Sequence, residues 1–150
     1  MSAAAGTGAT AADLYQADIM DRARRPRHQG LLEGADGTAE ARNPLCGDRV
    51  TITIRRAPDG RIAACAHQAR ACAICAASCD LMAEMLPGLT EAGVRQAAQG
   101  FAAALRQGAT LPAASPLNCF TPLRDTPSRI GCALLPWEAL LQSLTTNLAP

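Results

Sequence analysis

Hydrophobic and polar positions change period several times along the chain, and each change marks an element. From Asp13, the residues Leu14, Ala17, Ile19 and Met20 recur among polar ones at helical spacing until Pro26 stops the run. This predicts a helix over Asp13 to about Arg24, with Asp13 as its N-cap. Glu33 to Thr38 is Gly-rich and reads as a loop, and Glu40 to Asn43 is a candidate short strand. Val50, Ile52 and Ile54 then alternate with Thr51, Thr53 and Arg55, the period of a strand with one buried face. Pro58-Asp59-Gly60 supplies a turn, and Arg61 to about Gln68 returns as the second arm of an antiparallel hairpin. An Ala-rich run from Cys72 to Leu86, stopped by Pro87-Gly88, predicts a helix with Cys72 in its first turn. A further helix runs from a Thr90 cap to about Gln107 and is closed by Gly108. Its apolar face, Val94, Ala97, Ala98, Phe101, Ala102 and Leu105, is core rather than a cofactor site. Ala109 to Ser128 holds four prolines and reads as irregular. Leu134 to about Leu144 predicts a last helix with Pro136 in its first turn and Trp137 on the buried side.

These elements imply an α+β fold: a small antiparallel sheet of about three strands packed with four to five helices. Residues 13–150 form one domain, and Met1 to Ala12, an Ala/Gly/Thr stretch, is read as a flexible tail. A length of 150 residues suits that single core.

Charge and composition narrow the function. Lys+Arg number 14 against 13 Asp+Glu, every basic residue is an arginine, and aromatics make up 3%, a balance that argues against nucleic acid as the main partner. Arg22, Arg24, Arg25 and Arg27 gather at the end of the first helix, where the helix dipole favours cations. They read as a solvated helix end, with Arg27 and His28 as the alternative contact for a partner. No apolar run reaches the roughly 20 residues of a membrane span. The start of the chain lacks the features of a signal peptide, which points to the cytoplasm. In that compartment the seven cysteines favour metal or redox chemistry over a disulfide framework.

The chemistry concentrates at Asn43-Pro44-Leu45-Cys46-Gly47-Asp48, a turn offering a thiol and a carboxylate two residues apart. Pro44 fixes the backbone ahead of the turn, and Gly47 permits the left-handed conformation that brings both side chains to one side. Cys72 at a helix start, and Cys132 just before the last predicted helix, stand where the positive dipole end favours a thiolate. Both are therefore expected to be acidic and reactive. Cys75 and Cys79 follow Cys72 at helical spacing and read first as a packed face, while Cys119 lies in the irregular connection. Two competing readings come from the same residues. Cys72-Ala73-Ile74-Cys75 has the form of a thiol-disulfide oxidoreductase motif, in a chain without the strand–helix alternation of a thioredoxin fold. A passive structural zinc domain is the other.

Several stretches together resemble the iron–sulfur cluster assembly scaffold family typified by the N-terminal domain of NifU. They are Leu14-Tyr15-x-x-x-Ile19-Met20-Asp21, Pro26-Arg27-x-x-Gly30, Asn43-Pro44-x-Cys46-Gly47-Asp48, Cys72-Ala73-Ile74 after a hairpin, and Arg129-Ile130-x-Cys132. The resemblance spans about Asp13 to Leu144 and implies one exposed site formed by Cys46, Asp48, Cys72 and Cys132. The long insert between Cys72 and Cys132, and the lack of His before Cys132, look like the SufU-type branch rather than the IscU type. That branch implies zinc and persulfide sulfur taken from a cysteine desulfurase; the IscU type implies assembly of a [2Fe-2S] cluster from iron. Apo iron–sulfur proteins or a later carrier would be the recipients, and the chain would act as a monomer or weak dimer. By the same resemblance Cys132 is the sulfur acceptor; Arg129, three residues earlier, reads either as a group that steadies the incoming persulfide or the Asp48 carboxylate or as an ordinary surface arginine. Gly131 stands where the family has His or Lys, and no Leu-Pro-Pro-Val-Lys-type segment precedes Cys132, so chaperone recruitment is not expected.

Overall fold

A computed structural model describes residues 10–145. The expected tail, Met1 to Ala12, lies mostly outside that range, but its last residues belong to the first helix. Helix α1 (Ala11–Arg24) starts earlier than its apolar pattern implies. Thr10 is the cap, its hydroxyl accepting from the Asp13 amide while the Asp13 carboxylate accepts from the Thr10 amide. Asp13 therefore acts as the second half of a capping box rather than as the N-cap. Leu14 points outward, 58% exposed, and Ile19 carries the buried side.

Three antiparallel strands, β1 (Gly37–Asn43), β2 (Asp48–Arg56) and β3 (Ile62–Arg70), form a sheet in that order. Strand β1 is longer than the sequence pattern suggests because its Gly-rich start packs closely: a Cβ on Gly37 would stand on the Ser143 carbonyl. The inner face aligns Ala41, Val50 and Ala69, then Ala39, Ile52 and His67, then Gly37, Ile54 and Cys65. Helices α2 (Ala73–Met85) and α4 (Pro127–Thr145) pack on this sheet. Helix α3 (Glu91–Gln107) and a 3-10 segment (Pro116–Asp125) lie against α4. Phe101 joins the layers, with Phe120 and Trp137 each 5.6 Å away between ring centroids. Thr90 and Gly108 bound α3 as the sequence implies.

The last helix departs most from expectation. It begins at Pro127, so Cys132 lies within its second turn and Pro136 lies in its interior. Lacking an N–H, Pro136 gives the Cys132 carbonyl no helical partner. One residue on, the Ala133 carbonyl accepts from Ser78 Oγ at 2.6 Å, and Ser78 in turn accepts from Trp137 Nε1 at 3.2 Å. These bonds tie the proline break of α4 to the middle of α2.

Asp80, fully buried in α2, organises the opposite corner. It accepts from the Arg27 and His28 amides, from Arg22 and from His67 Nε2 at 2.8–3.1 Å. Residues 28–30 are thereby held along the edge of β3, where the Gly30 amide donates to the His67 carbonyl. Glu84 binds Arg22 at 2.9 Å and approaches Arg27 and His28. Arg22 and the Arg27 and His28 amides are thus an internal fastening, while the Arg24, Arg25 and Arg27 side chains stay exposed as a solvated helix end.

Candidate metal centre

The loop between β1 and β2 is shaped by its own side chains. Asn43 Oδ1 accepts from the Leu45 amide at 3.0 Å, the Gly47 amide donates to the Asn43 carbonyl at 2.8 Å, and Gly47 has φ +73°. This leaves Leu45 94% exposed and Cys46 exposed, while Asp48, the first residue of β2, turns inward and is 3% exposed. Asp48 Oδ1 accepts from the amide of Cys72, the N-cap of α2, at 2.9 Å. The strand thereby holds the helix start through the carboxylate.

Around the other carboxylate oxygen the thiols gather. Cys46 Sγ is 3.1 Å and Cys72 Sγ 3.5 Å from Asp48 Oδ2, and Cys46 Sγ is 3.5 Å from Cys132 Sγ. The ligand atoms of Cys46, Asp48 and Cys132 all lie within 4.8 Å of one another, and Cys72 joins through Asp48 and Cys132. Zinc bonds of about 2.3 Å to sulfur and 2.0–2.2 Å to oxygen set tetrahedral edges of roughly 3.5–3.8 Å. The Cys46, Asp48 and Cys132 donors are therefore spaced to close on one ion, with the Cys72 thiol beside the same carboxylate as a fourth, and three thiolates with one carboxylate suit zinc or iron. Of the four residues named from the sequence, Cys46, Asp48 and Cys132 meet at this one place, and Cys72 stands beside them against Asp48.

The electrostatics differ from expectation. Burial pushes the Asp48 carboxyl up, but donation from Cys46, from the Cys72 amide and from the Cys72 and Cys132 thiols outweighs it and holds the group below its ordinary value. Cys72 and Cys132 are not acidified. Burial raises the Cys72 thiol, with the Asp48 charge adding to it against donation from the Cys75 amide. Burial likewise raises Cys132, and its contact with Cys46 adds to the rise. For Cys132 the reason is also positional: it lies inside α4, not at its start. Both thiols hold their protons until a cation takes their place.

The other thiols stay apart. Cys75 and Cys79 are fully buried, and the Cys75 thiol is raised first by its neighbour Cys79 and then by burial. This favours packing over a surface redox pair with Cys72. Cys65 and Cys119 are pushed up to about 12 by burial. Arg129 is exposed on the first turn of α4 and does not reach Asp48, whose acceptors are taken by Cys46 and Cys72. Cys132 is 2% exposed, the least accessible of the three site cysteines. Sequence reasoning passed over Asp80 and His67; the signal was a carboxylate in the middle of an otherwise apolar helix, Cys79-Asp80-Leu81.

Comparison with known proteins bears on the same residues. Residues 14–107 match the family model of the NifU-like N terminal domain. The chain is 30% identical over 134 residues to the iron-sulfur cluster assembly scaffold protein IscU of Streptococcus pyogenes serotype M1, covering 87% of this chain and 82% of that protein. It is 30% identical over 131 residues to the zinc-dependent sulfurtransferase SufU of Bacillus subtilis (strain 168), covering 85% and 86%. The crystal structure of a nitrogen-fixing NifU-like protein (N-terminal) from Brucella abortus superposes with a TM-score of 0.80 at 28% identity, over 88% of this chain and 92% of that one.

Proposed function

Because the chain belongs to the NifU-like N-terminal domain family, we propose that it accepts sulfur from a cysteine desulfurase at the Cys46, Asp48, Cys72 and Cys132 site, in the service of iron–sulfur cluster assembly. The observation that supports this best is the gathering of the Cys46 and Cys132 thiols and the Asp48 carboxylate at distances fit for a single ion, with the Cys72 thiol 3.5 Å from the same carboxylate. Its relatives include both a protein named as a scaffold and one named as a zinc-dependent sulfurtransferase. The same donors serve either chemistry. Bound zinc or iron would supply the positive charge that keeps the thiols deprotonated, and a [2Fe-2S] cluster would use the same ligands.

In this reading Cys132 is the acceptor. Its thiolate attacks the sulfane sulfur of the donor's persulfide, the donor's S–S bond breaks, and the donor leaves as a thiolate; no net oxidation occurs. Cys132 is buried under the loop that carries Leu45 and Cys46, so that loop must lift first. Arg129, one turn earlier on α4 and exposed, would meet the incoming anionic persulfide. Asp48 keeps the start of α2, and with it Cys72, against the strand throughout. Apo iron–sulfur proteins or a downstream carrier would be the recipients, and the protein would work as a monomer or weak dimer in a reducing cytoplasm.

The test is zinc, iron and acid-labile sulfide per chain after anaerobic purification without added metal. About one zinc per chain without sulfide is the sulfurtransferase outcome, and iron with matching sulfide is the scaffold outcome. Neither element, or desulfurase turnover unchanged by this protein, overturns the proposal. Mass mapping after persulfide transfer then reads the acceptor, with label on Cys46 rather than Cys132 displacing the role given to Cys132.

A further inference from the structure

The outer face of the sheet carries a row of cations beside the metal centre. Arg42 pairs in register with Arg49, and Arg49 with Arg70, one on each strand. Register partners on one face have Cβ atoms about 4.5–5.5 Å apart, and like charges so placed are destabilising. All three side chains are exposed. Glu40 approaches Arg42 with its carboxylate 3.7 Å from Nε. Arg49 and Arg70 have no ion pair among the described residues. In a chain whose net charge is +1, this row concentrates positive charge where the fold gains nothing from it.

Its position is set by the site. Arg42 precedes Asn43, Arg49 follows Asp48 on the opposite face of β2, and Arg70 stands two residues before Cys72. A molecule seated on the row would reach the loop that exposes Leu45 and Cys46. Three strands at about 4.8 Å spacing give the row a span of roughly 10 Å, short for a nucleic-acid track and comparable to two turns of helix. The rows beside it hold Glu40, Thr51 and Gln68, and then Thr38, Thr53 and Ala66, with no aromatic side chain on which a base could stack.

We infer that the Arg42, Arg49 and Arg70 row is a docking surface for an acidic segment of a protein partner, which it holds alongside the metal centre. The inference goes beyond the sulfur-acceptor reading and does not depend on which metal the site holds. Complementary rim charges act mainly on encounter and orientation, so the contact is weak, fast and sensitive to salt.

Fluorescence anisotropy with a labelled deca-glutamate peptide on the full chain, at low and then moderate salt, tests it. R49Q/R70Q should weaken peptide binding about tenfold, a few-fold for each cation removed. R24Q/R106Q, which removes two exposed arginines from α1 and α3, should leave binding within about twofold. Because the row is a repulsive arrangement, R49Q/R70Q should melt no lower than the parent. Absence of peptide binding at low salt, equal weakening by the two double variants, or a fall of several degrees in Tm for R49Q/R70Q would each overturn the inference. Tighter, equally Arg49- and Arg70-dependent binding of a single-stranded oligonucleotide of matched charge would replace the protein partner with nucleic acid. None of these readings uses the metal, so failure here leaves the zinc and sulfide analysis intact.

Discussion

Two buried aspartates, Asp48 and Asp80, are held ionised by the donors around them, one at the candidate metal centre and one in the scaffold behind it. For Asp80, burial raises the carboxyl, but the Arg27 amide, His67, the His28 amide and Arg22 together bring it below its ordinary value. A depressed folded value means stability that is complete above the unfolded pKa of about 3.9 and is lost as pH falls through the folded one. Asp80→Ala should therefore cost about 3–5 kcal/mol at pH 7, since it strands buried donors. Urea titrations should show the gap to the parent narrowing below about pH 4. At the metal centre the thiols can be told apart by the same kind of substitution. Cys72→Ala should lower zinc retention about tenfold or more, whereas Cys75→Ala should keep it and lose only packing stability. A competition assay with a chromophoric chelator reads this directly, and loss of zinc in Cys75→Ala alone would reassign the ligands. Cys46 and Asp48 were legible from a six-residue turn because Pro, Gly and Asx chemistry is local. The depressed acidity of Cys72 and Cys132 was not, because it comes from Asp48 and from burial, both set by the tertiary fold.

At the scale of elements, the sheet and α3 follow from period and punctuation alone, and the ends of α1 and α4 do not. Thr10 caps α1 from within a stretch that looks structureless by composition, and its role depends on a reciprocal bond with Asp13. Thr10→Ala should lower stability by about 1 kcal/mol, measured by thermal unfolding. In α4 a proline mid-helix reads naturally as a helix start, which moves the expected boundary past Cys132. Beside the break, Ser78 and Trp137 tie α4 to α2 through the Ala133 carbonyl. Removing the hydroxyl in Ser78→Ala takes one donor from the Ala133 carbonyl and strands the indole N–H, and should cost about 1–3 kcal/mol in urea unfolding. It should also broaden near-ultraviolet circular dichroism from Trp137.

For the whole molecule, the resemblance to the scaffold family pointed the three distant cysteines to one site before any contact was visible; their spacing alone did not require the hairpin, the start of α2 and the front of α4 to meet. The family match over residues 14–107 stops short of Cys132, and it is the packing of α4 on β1 that returns this thiol to the others. Seven cysteines therefore divide by depth. Alkylation of the metal-free native protein should modify Cys46 first and Cys72 next, leaving Cys65, Cys75, Cys79 and Cys119 unlabelled until global unfolding. Peptide mapping along a denaturant series checks this, and early labelling of Cys75 or Cys79 would mean that α2 opens on its own.

The proline inside α4 reaches further than its own turn. With no amide reaching back to the Cys132 carbonyl, the segment from Pro127 to Leu135 is joined to the remainder of its helix by one strut fewer than an unbroken helix would have. Hydrogen exchange should divide the helix there, with amides ahead of Pro136 exchanging through a local opening and those behind it only with the core. An opening at that break would loosen the wall behind Cys132, so that the loop bearing Leu45 and Cys46 has less to displace when it lifts and presents the buried thiol.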